Sequence, residues 1–565
     1  LKKNEKIFLI LTDVFIFILV IYPLFLGGVV GGYDPGFHMG RIQSLATNLG
    51  SGHFPNPIGF EYLHHFGYGI GFFYGNFLLY PFAIIHLLGL GLYQTYLFMI
   101  GCFIFLNILT INYVTHKLFH NTWATILSAP IYLSATYFIT VIYVRAAIGE
   151  LMAFAIIPWI FLSLFKIIQG EPKYWVMFGI SFSLLLVTHI LSFLIVTTTA
   201  LLYAVMNIIP IWKNKPILFS FLKGTALFLG LSCVFLLPFI QQYMTQSYVS
   251  TAVASNGQYS IIADSAWVKK VIFQPTKYIT INGIRLAILI AISVVYYLYQ
   301  GFRYHFKNKL SLQSLIVIVL YSALIFSNSL LNYAVSIFKP MVLLQAISRV
   351  CVVLIPLLTL LVANALGEII GHFKYLKFAS ITVLFALIAV VTIMLPIKSN
   401  LDFVANRKGP IPHFSISMGE YEPSAFMNYQ RKQGNFQINS DTLGNSEDID
   451  IVKNNHYEVV AKIHDNQGSR TIMLPRLNYL GYQITIKYNG KTVTKPATTK
   501  NGLVATKLPS SLKSGTVTVK YRLTTLSKLG WAITIVTLLF LLGYGFQRVR
   551  PLRRENSTNK VIHSK

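Results

Sequence analysis

The sequence predicts a polytopic α-helical membrane protein of about 12 transmembrane helices, with a C-terminal extracytoplasmic β-sandwich domain followed by a final transmembrane helix. Three observations predict it. The 565 residues are 55% hydrophobic and 11% charged, with mean hydropathy +0.61, whereas a soluble chain carries roughly twice that charged fraction. Apolar runs of about 20 residues, each long enough for a bilayer core, recur along most of the chain. Between residues 398 and 528 the pattern changes to period-two alternation, as in "YQITIKYNGKTVTK" and "GTVTVKYRL", which is the signature of half-buried strands.

The spans expected in order are 7–30, 93–115, 122–142, 150–168, 174–189, 191–211, 217–240, 281–301, 311–329, 347–370, 378–397 and 529–547. Lys2, Lys3 and Lys6 precede the first, so the N-terminus is expected to be cytoplasmic. That run lacks an A-x-A-like cleavage site and reads as an uncleaved span. Residues 31–91 then form a large first outer loop. Its second half, "GIGFFYGNFLLYPFAIIHLLGLGL", is apolar but broken by Gly, Pro and His, and reads as interfacial or re-entrant helices. With that reading, basic clusters at Lys117, Lys166/Lys173, Lys213/Lys215, Arg303/Lys307/Lys309, Lys374/Lys377 and Arg548/Arg550/Arg553/Arg554 all fall inside. Both termini are then cytoplasmic, in a plasma-membrane protein with three parts: 1–397, 398–528 and 529–565.

The net charge of +28 would suggest nucleic acid in a soluble protein. Here topology accounts for it, with membrane lipid headgroups as secondary partners and no nucleic acid. Cys102, Cys233 and Cys351 lie far apart inside apolar runs, so neither a disulfide framework nor a metal motif follows. In the outer domain, Asn-Gly in "YNGK" and "KNG" marks hairpin turns.

Acids are scarce. Of 18, eight precede residue 398, and four of those fall outside: Asp34, Glu61, Glu150 and Asp264. Ionisable groups at membrane depth are costly and are usually retained for function. In "GGYDPGFHMGRI", Asp34 is followed by His38 and Arg41, which share a helix face if a helix starts after Pro35. Turn or helix-cap chemistry is the competing role for Asp34. In "YVRAAIGELMAFAIIPW", Arg145 closes one span and Glu150 opens the next. Five residues is poor spacing for a helical ion pair, so each is also readable as a helix-end group. Asp264 reads as an N-cap. Glu61 sits beside His64 and His65 without zinc-ligand spacing. His189 reads as a packing histidine, and Arg349 opens a span with Gln345 one helical turn earlier. Arg349 suits either snorkelling or a lipid phosphate.

No phosphate-cradling Gly motif appears, and ATP is absent outside the cell. A group donor for outer-face chemistry therefore arrives on a lipid. Outward arginines fit a lipid-linked phosphate, and a carboxylate fits a general base for an acceptor hydroxyl. The chain resembles the GT-C superfamily of membrane glycosyltransferases, with "YDPGFHMGRI" similar to their first-loop acidic motif. More narrowly it resembles the YfhO-like bacterial membrane proteins, including the branch labelled pyruvoyl-tetrahydropterin synthase-related. The resemblance rests on Asp34, His38 and Arg41, then Arg145, Glu150 and Pro158, then His189, then Gln345 and Arg349. It continues through "GEYEP" at 419–423, "LPRLNYLGYQITIKYNGK" at 474–491 and Tyr521. The chain departs in "AISR", where a Phe-Pro-Trp-Arg-like run is common, and at Glu422, where an apolar residue is usual.

The resemblance implies sugar transfer from a polyprenyl-phosphate donor to a cell-envelope glycopolymer such as lipoteichoic acid. Asp34 would be the catalytic base or acceptor-orienting carboxylate, and Glu150 the second catalytic carboxylate, either sharing that role or holding Arg145. His38, Arg41, Arg145, His189, Gln345 and Arg349 would bind substrate. Nothing in the pattern requires a divalent metal or other cofactor. Tyr479, Tyr482 and Tyr488 are candidates for acceptor binding, and equally for strand packing. A lipid-linked glycan flippase and a non-catalytic envelope-assembly protein are the rival readings. A transporter would favour internal repeats and polar groups at mid-membrane depth.

Overall fold

The computed structural model describes residues 3–25, 34–143, 145–250, 294–301, 309–372, 419–432 and 448–562, with a few isolated positions besides. Seven helical spans there are long and apolar enough to cross a membrane: Lys3–Phe25, Leu92–Phe119, Ile148–Ile168, Lys215–Thr245, Lys309–Phe326, Ile347–Gly371 and Thr525–Gly545. An eighth is reached if the bent pair α6 (Thr122–Leu133) and α7 (Thr136–Tyr143) is one span. This falls short of the twelve expected. The segment expected at 174–189 forms α9 (Trp175–Leu186), only 12 residues, about 18 Å at 1.5 Å per residue and too short for a core about 30 Å thick. The next, α10 (Ile190–Met206), has 17. Most of 281–301 and all of 378–397 lie outside the described residues, as does Asp264.

The remaining elements follow from local sequence. The first helix, α1, is Lys3–Ile21. Pro35 occupies the first turn of α2 (Pro35–Gly50), where its missing N–H costs nothing. The apolar stretch after Gly69 breaks into α3 (Ile70–Phe73) and α4 (Tyr80–Leu87), neither long enough to span. Then come α5 (Leu92–Phe119), α8 (Ile148–Ile168), α11 (Ile208–Lys213) and α12 (Lys215–Thr245). They are followed by α13 (Lys309–Phe326), α14 (Asn328–Ile337), α15 (Cys351–His372), α16 (Ser424–Lys432) and α17 (Thr525–Ile562). Asn121, Asn214 and Ser327 cap α6, α12 and α14 by accepting from backbone N–H groups three residues on. The last helix packs along α12, where Val234 N donates to Thr534 Oγ1 and Thr534 Oγ1 donates to Gly230 O. Small residues permit that close approach between apolar helices. The most enclosed spans are α8 and Ile347–Gly371.

The C-terminal strands form two antiparallel sheets. One runs β1 (Ile449–Asn454), β2 (Glu458–Ile463), β8 (Gly515–Tyr521), β4 (Tyr482–Tyr488), β5 (Lys491–Pro496). The other runs β3 (Thr471–Leu477), β7 (Leu503–Lys507), β6 (Thr498–Lys500). Both Asn-Gly turns are two-residue hairpins with positive φ at both positions, between Tyr488 and Lys491 and between Lys500 and Leu503.

The core of these sheets does not close on itself. Ile484, Val517 and Leu503 join a cluster with Tyr62, Phe66, Tyr68, Phe72 and Phe73 of the segment after α2. Polar ties reinforce it. Leu477 N donates to Phe66 O, and Gln242 of α12 pairs with both backbone groups of Leu480. Buried Arg476 donates to His65 O, Asn454 Oδ1 and Asn455 O.

Candidate functional site

A cavity of about 130 Å³ is lined by Asp34, His38, Arg145, Glu150, His189, Gln345 and Arg349, with Tyr74, Glu420 and Tyr421 among the other lining residues. These residues come from six stretches of chain more than 30 positions apart. Four helices turn their N-termini toward it. Asp34 stands at the N-cap of α2, Glu150 lies in the first turn of α8, His189 caps α10, and Arg349 lies just before α15. Each N-terminus carries unsatisfied N–H groups and the positive end of the helix dipole, an arrangement that favours an anion.

Asp34 occupies the cap position without acting as a cap. Its φ and ψ are −116° and 11°, and its side chain makes no capping hydrogen bond. Its backbone N donates instead to Arg145 O at 3.1 Å, joining the two halves of the site. Burial pushes its carboxyl above the ordinary range. Arg145 and then Arg349 oppose the rise, and Glu150 adds to it.

Glu150 is enclosed. Arg145 Nη1 donates to its Oε2 at 2.9 Å, Tyr137 Oη donates to the same oxygen at 2.6 Å, and Arg145 Nη2 stands 2.8 Å from Oε1. Arg145 Nη1 also donates to Tyr137 Oη at 2.9 Å. The five-residue spacing that disfavours a helical pair does not apply, because Arg145 lies outside the helix. Ala146 adopts φ +53° between them and folds the guanidinium back over the first turn of α8. Glu150 is 1% exposed. Arg349 Nε lies 3.6 Å from Glu150 Oε1, too far for a hydrogen bond. Buried, it has no acceptor among the described residues. A ligand oxygen in the cavity would supply one.

Arg41 does not line the cavity. It is fully buried, donates to Asn76 Oδ1 from Nε and Nη2 and to Gly75 O at 2.6 Å, and lies 4.0 Å over the Tyr74 ring. Its donors pin the Gly75–Asn76 turn to α2. His38 sits between, with Nδ1 3.2 Å from Arg41 Nη1. Burial and then Arg41 hold its imidazole well below the usual value, so it is neutral at pH 7. His189 accepts from Ser192 N and pairs with Ser192 Oγ at 2.7 Å rather than meeting a carbonyl. Gln345 is not a helical turn before Arg349. It ends a 3-10 helix at φ +63°, and extended Ala346 separates the two. Glu61 accepts from Ser44 Oγ at 2.6 Å. Tyr479 and Tyr482, candidates for acceptor binding, are 1% and 6% exposed and belong to the core.

Tyr74, Tyr137 and the pair Glu420/Tyr421 were not singled out as site residues in the sequence. Tyr137 carried no signal, since it stands in an apolar run. Glu420 and Tyr421 lie in the "GEYEP" motif, more than 380 positions from Asp34, and only the docking of the β-sheets brings them near.

No family model matches the sequence, and no curated protein does. Solved structures are similar in overall shape. The crystal structure of ArnT from Cupriavidus metallidurans bound to undecaprenyl phosphate is 13% identical over 73% of this chain and 75% of its own, with a TM-score of 0.40. The Archaeoglobus fulgidus oligosaccharyltransferase in the apo form is 13% identical over 78% and 59%, with a TM-score of 0.46. The arabinofuranosyltransferase AftD from Mycobacteria is 12% identical over 75% of this chain and 28% of its own, with a TM-score of 0.42.

Proposed function

We propose that the protein is a membrane glycosyltransferase that moves a sugar from a polyprenyl-phosphate-linked donor to a hydroxyl of a cell-envelope glycan on the outer face. One observation carries the reading. A carboxylate released from its capping role shares a cavity with two arginines and four helix N-termini, in a chain rich in membrane spans. The motif order shared with YfhO-like proteins is consistent with it, and so is an orientation with both termini cytoplasmic.

In this mechanism Asp34 takes the proton from the acceptor hydroxyl as its oxygen bonds to the anomeric carbon. The bond from that carbon to the lipid phosphate breaks, and the phosphate leaves with the electron pair. Arg349, Arg145 and the helix N-termini hold the leaving charge, a stabilisation that grows in the transition state. Glu150 acts by positioning both arginines rather than as a second base. His38, neutral and pressed against Arg41, orients rather than carries charge.

The test is Asp34→Asn in cells and in reconstituted protein. Expected are unchanged abundance, at least a 100-fold loss of transfer and accumulation of polyprenyl-phosphate sugar. Normal envelope glycan at normal abundance would end the enzyme reading.

A further inference from the structure

The cavity has two chemically different walls. The helical wall carries Arg145 and Arg349 over Glu150. Glu420 and Tyr421, which also line the cavity, belong to the strap Gly419–Pro423 that precedes α16. That strap is held at nearly every backbone group. Ser250 N donates to Glu420 O at 2.9 Å, Val249 N to Glu422 O at 3.0 Å, and Glu422 N to Gly419 O at 2.9 Å. Tyr421 N donates to Tyr68 Oη and Tyr479 Oη donates to Tyr421 O, both at 3.0 Å. The Tyr421 ring stacks on Phe73 at 5.1 Å and 12°. Gly419 turns the chain at φ +70°. Partners thus come from the segment after α12, the segment after α2 and the segment after β3. A surface turn needs no such scaffold, whereas a binding wall does, because preorganised groups lose little entropy when a ligand docks.

The charge on this wall decides what it can hold. A carboxylate repels phosphate and accepts hydrogen bonds from hydroxyls, and a tyrosine ring offers an apolar face and a polar tip. From this geometry we infer that Glu420 and Tyr421 form the acceptor subsite of the transferase proposed above. It takes a neutral, hydroxyl-rich glycan unit and keeps the phosphate end of the donor on the arginine wall. The sheets then have a defined part in the site: they position the strap.

The experiment uses the full chain in lipid nanodiscs and two probes, polyprenyl phosphate and a methyl glycoside. Glu420→Gln is expected to weaken the glycoside at least tenfold and to leave polyprenyl phosphate within twofold. Arg349→Ala is expected to do the reverse, and Glu420→Asp to recover part of the glycoside affinity. Size-exclusion and proteolysis profiles matching the wild type establish that the variants are folded. Glycoside affinity unchanged in Glu420→Gln, a change in phosphate affinity instead, or a wild type that binds no glycoside would each overturn the inference. Failure of the wild type to bind polyprenyl phosphate would overturn the transferase reading separately.

Discussion

At the residue scale, the two carboxylates expected to share catalysis have separate physical roles. Asp34 has no cap to lose, so Asp34→Asn should leave thermal stability unchanged. Glu150→Gln strands Arg145 and Arg349, and leaving buried charge unpaired should cost about 3 kcal/mol. A thermal melt in detergent distinguishes them: only Glu150→Gln should lower Tm. Burial of Asp34 also has a signed consequence. A base with a raised pKa ionises later as pH climbs, so transfer should rise through a pH above the ordinary aspartate value of about 3.9. A rate–pH profile whose acid limb sits at or below that value would contradict Asp34 as the base.

At the element scale, the site depends on close approaches between turns and helix ends. A Cβ at Gly149 would meet Tyr74 Oη at 1.9 Å and the His189 ring at 2.7 Å. Both are side-chain atoms at the cavity. Gly149→Ala should therefore keep its abundance while weakening polyprenyl-phosphate binding roughly tenfold, about 1.4 kcal/mol. A Cβ at Gly75 would instead meet the backbone carbonyl of Val187 at 1.8 Å. Backbone cannot step aside cheaply, so Gly75→Ala should lower stability by about 1–3 kcal/mol, read as lost abundance. Such contacts were invisible in sequence, whereas the Arg145–Glu150 pair stood there as one of two readings of Glu150. The helix ends that frame the site were partly legible, because "DPG" and "RAAIGE" announce a turn before a helix. The burial of Arg41 was not legible, because its distant partners, Gly75 and Asn76, lie on a turn whose return to α2 has no periodic signature.

At the scale of the whole molecule, the sheets and the segment after α2 share one core, so in the transferase proposed above docking and transfer are coupled. Glu422 lies in that seam, 4% exposed. Burial, with Glu420 adding to it, raises its carboxyl to about 7. A raised carboxyl binds its proton more tightly when folded. The stabilisation is complete below its unfolded value near 4.5 and is lost as pH rises through about 7. The expected change is on the order of 3 kcal/mol. Limited proteolysis of the full chain should release the sheets more readily at pH 8 than at pH 5, and Glu422→Gln should flatten that difference.

Sequence by itself determined that the chain is mostly helical and rich in apolar spans, and it determined the two Asn-Gly hairpins and the short list of acids that directed attention to Asp34 and Glu150. These are local: span length, two-residue periodicity and scarcity of charge are properties of neighbouring residues. Tertiary structure alone decided that Asp34, Arg145, Glu150, His189, Gln345 and Arg349 line one cavity while Arg41 lies beneath it. It also decided that Glu420 and Tyr421 of "GEYEP" join that lining. Those facts depend on how helix ends and sheets pack across hundreds of residues, and packing of that kind leaves no period in the chain.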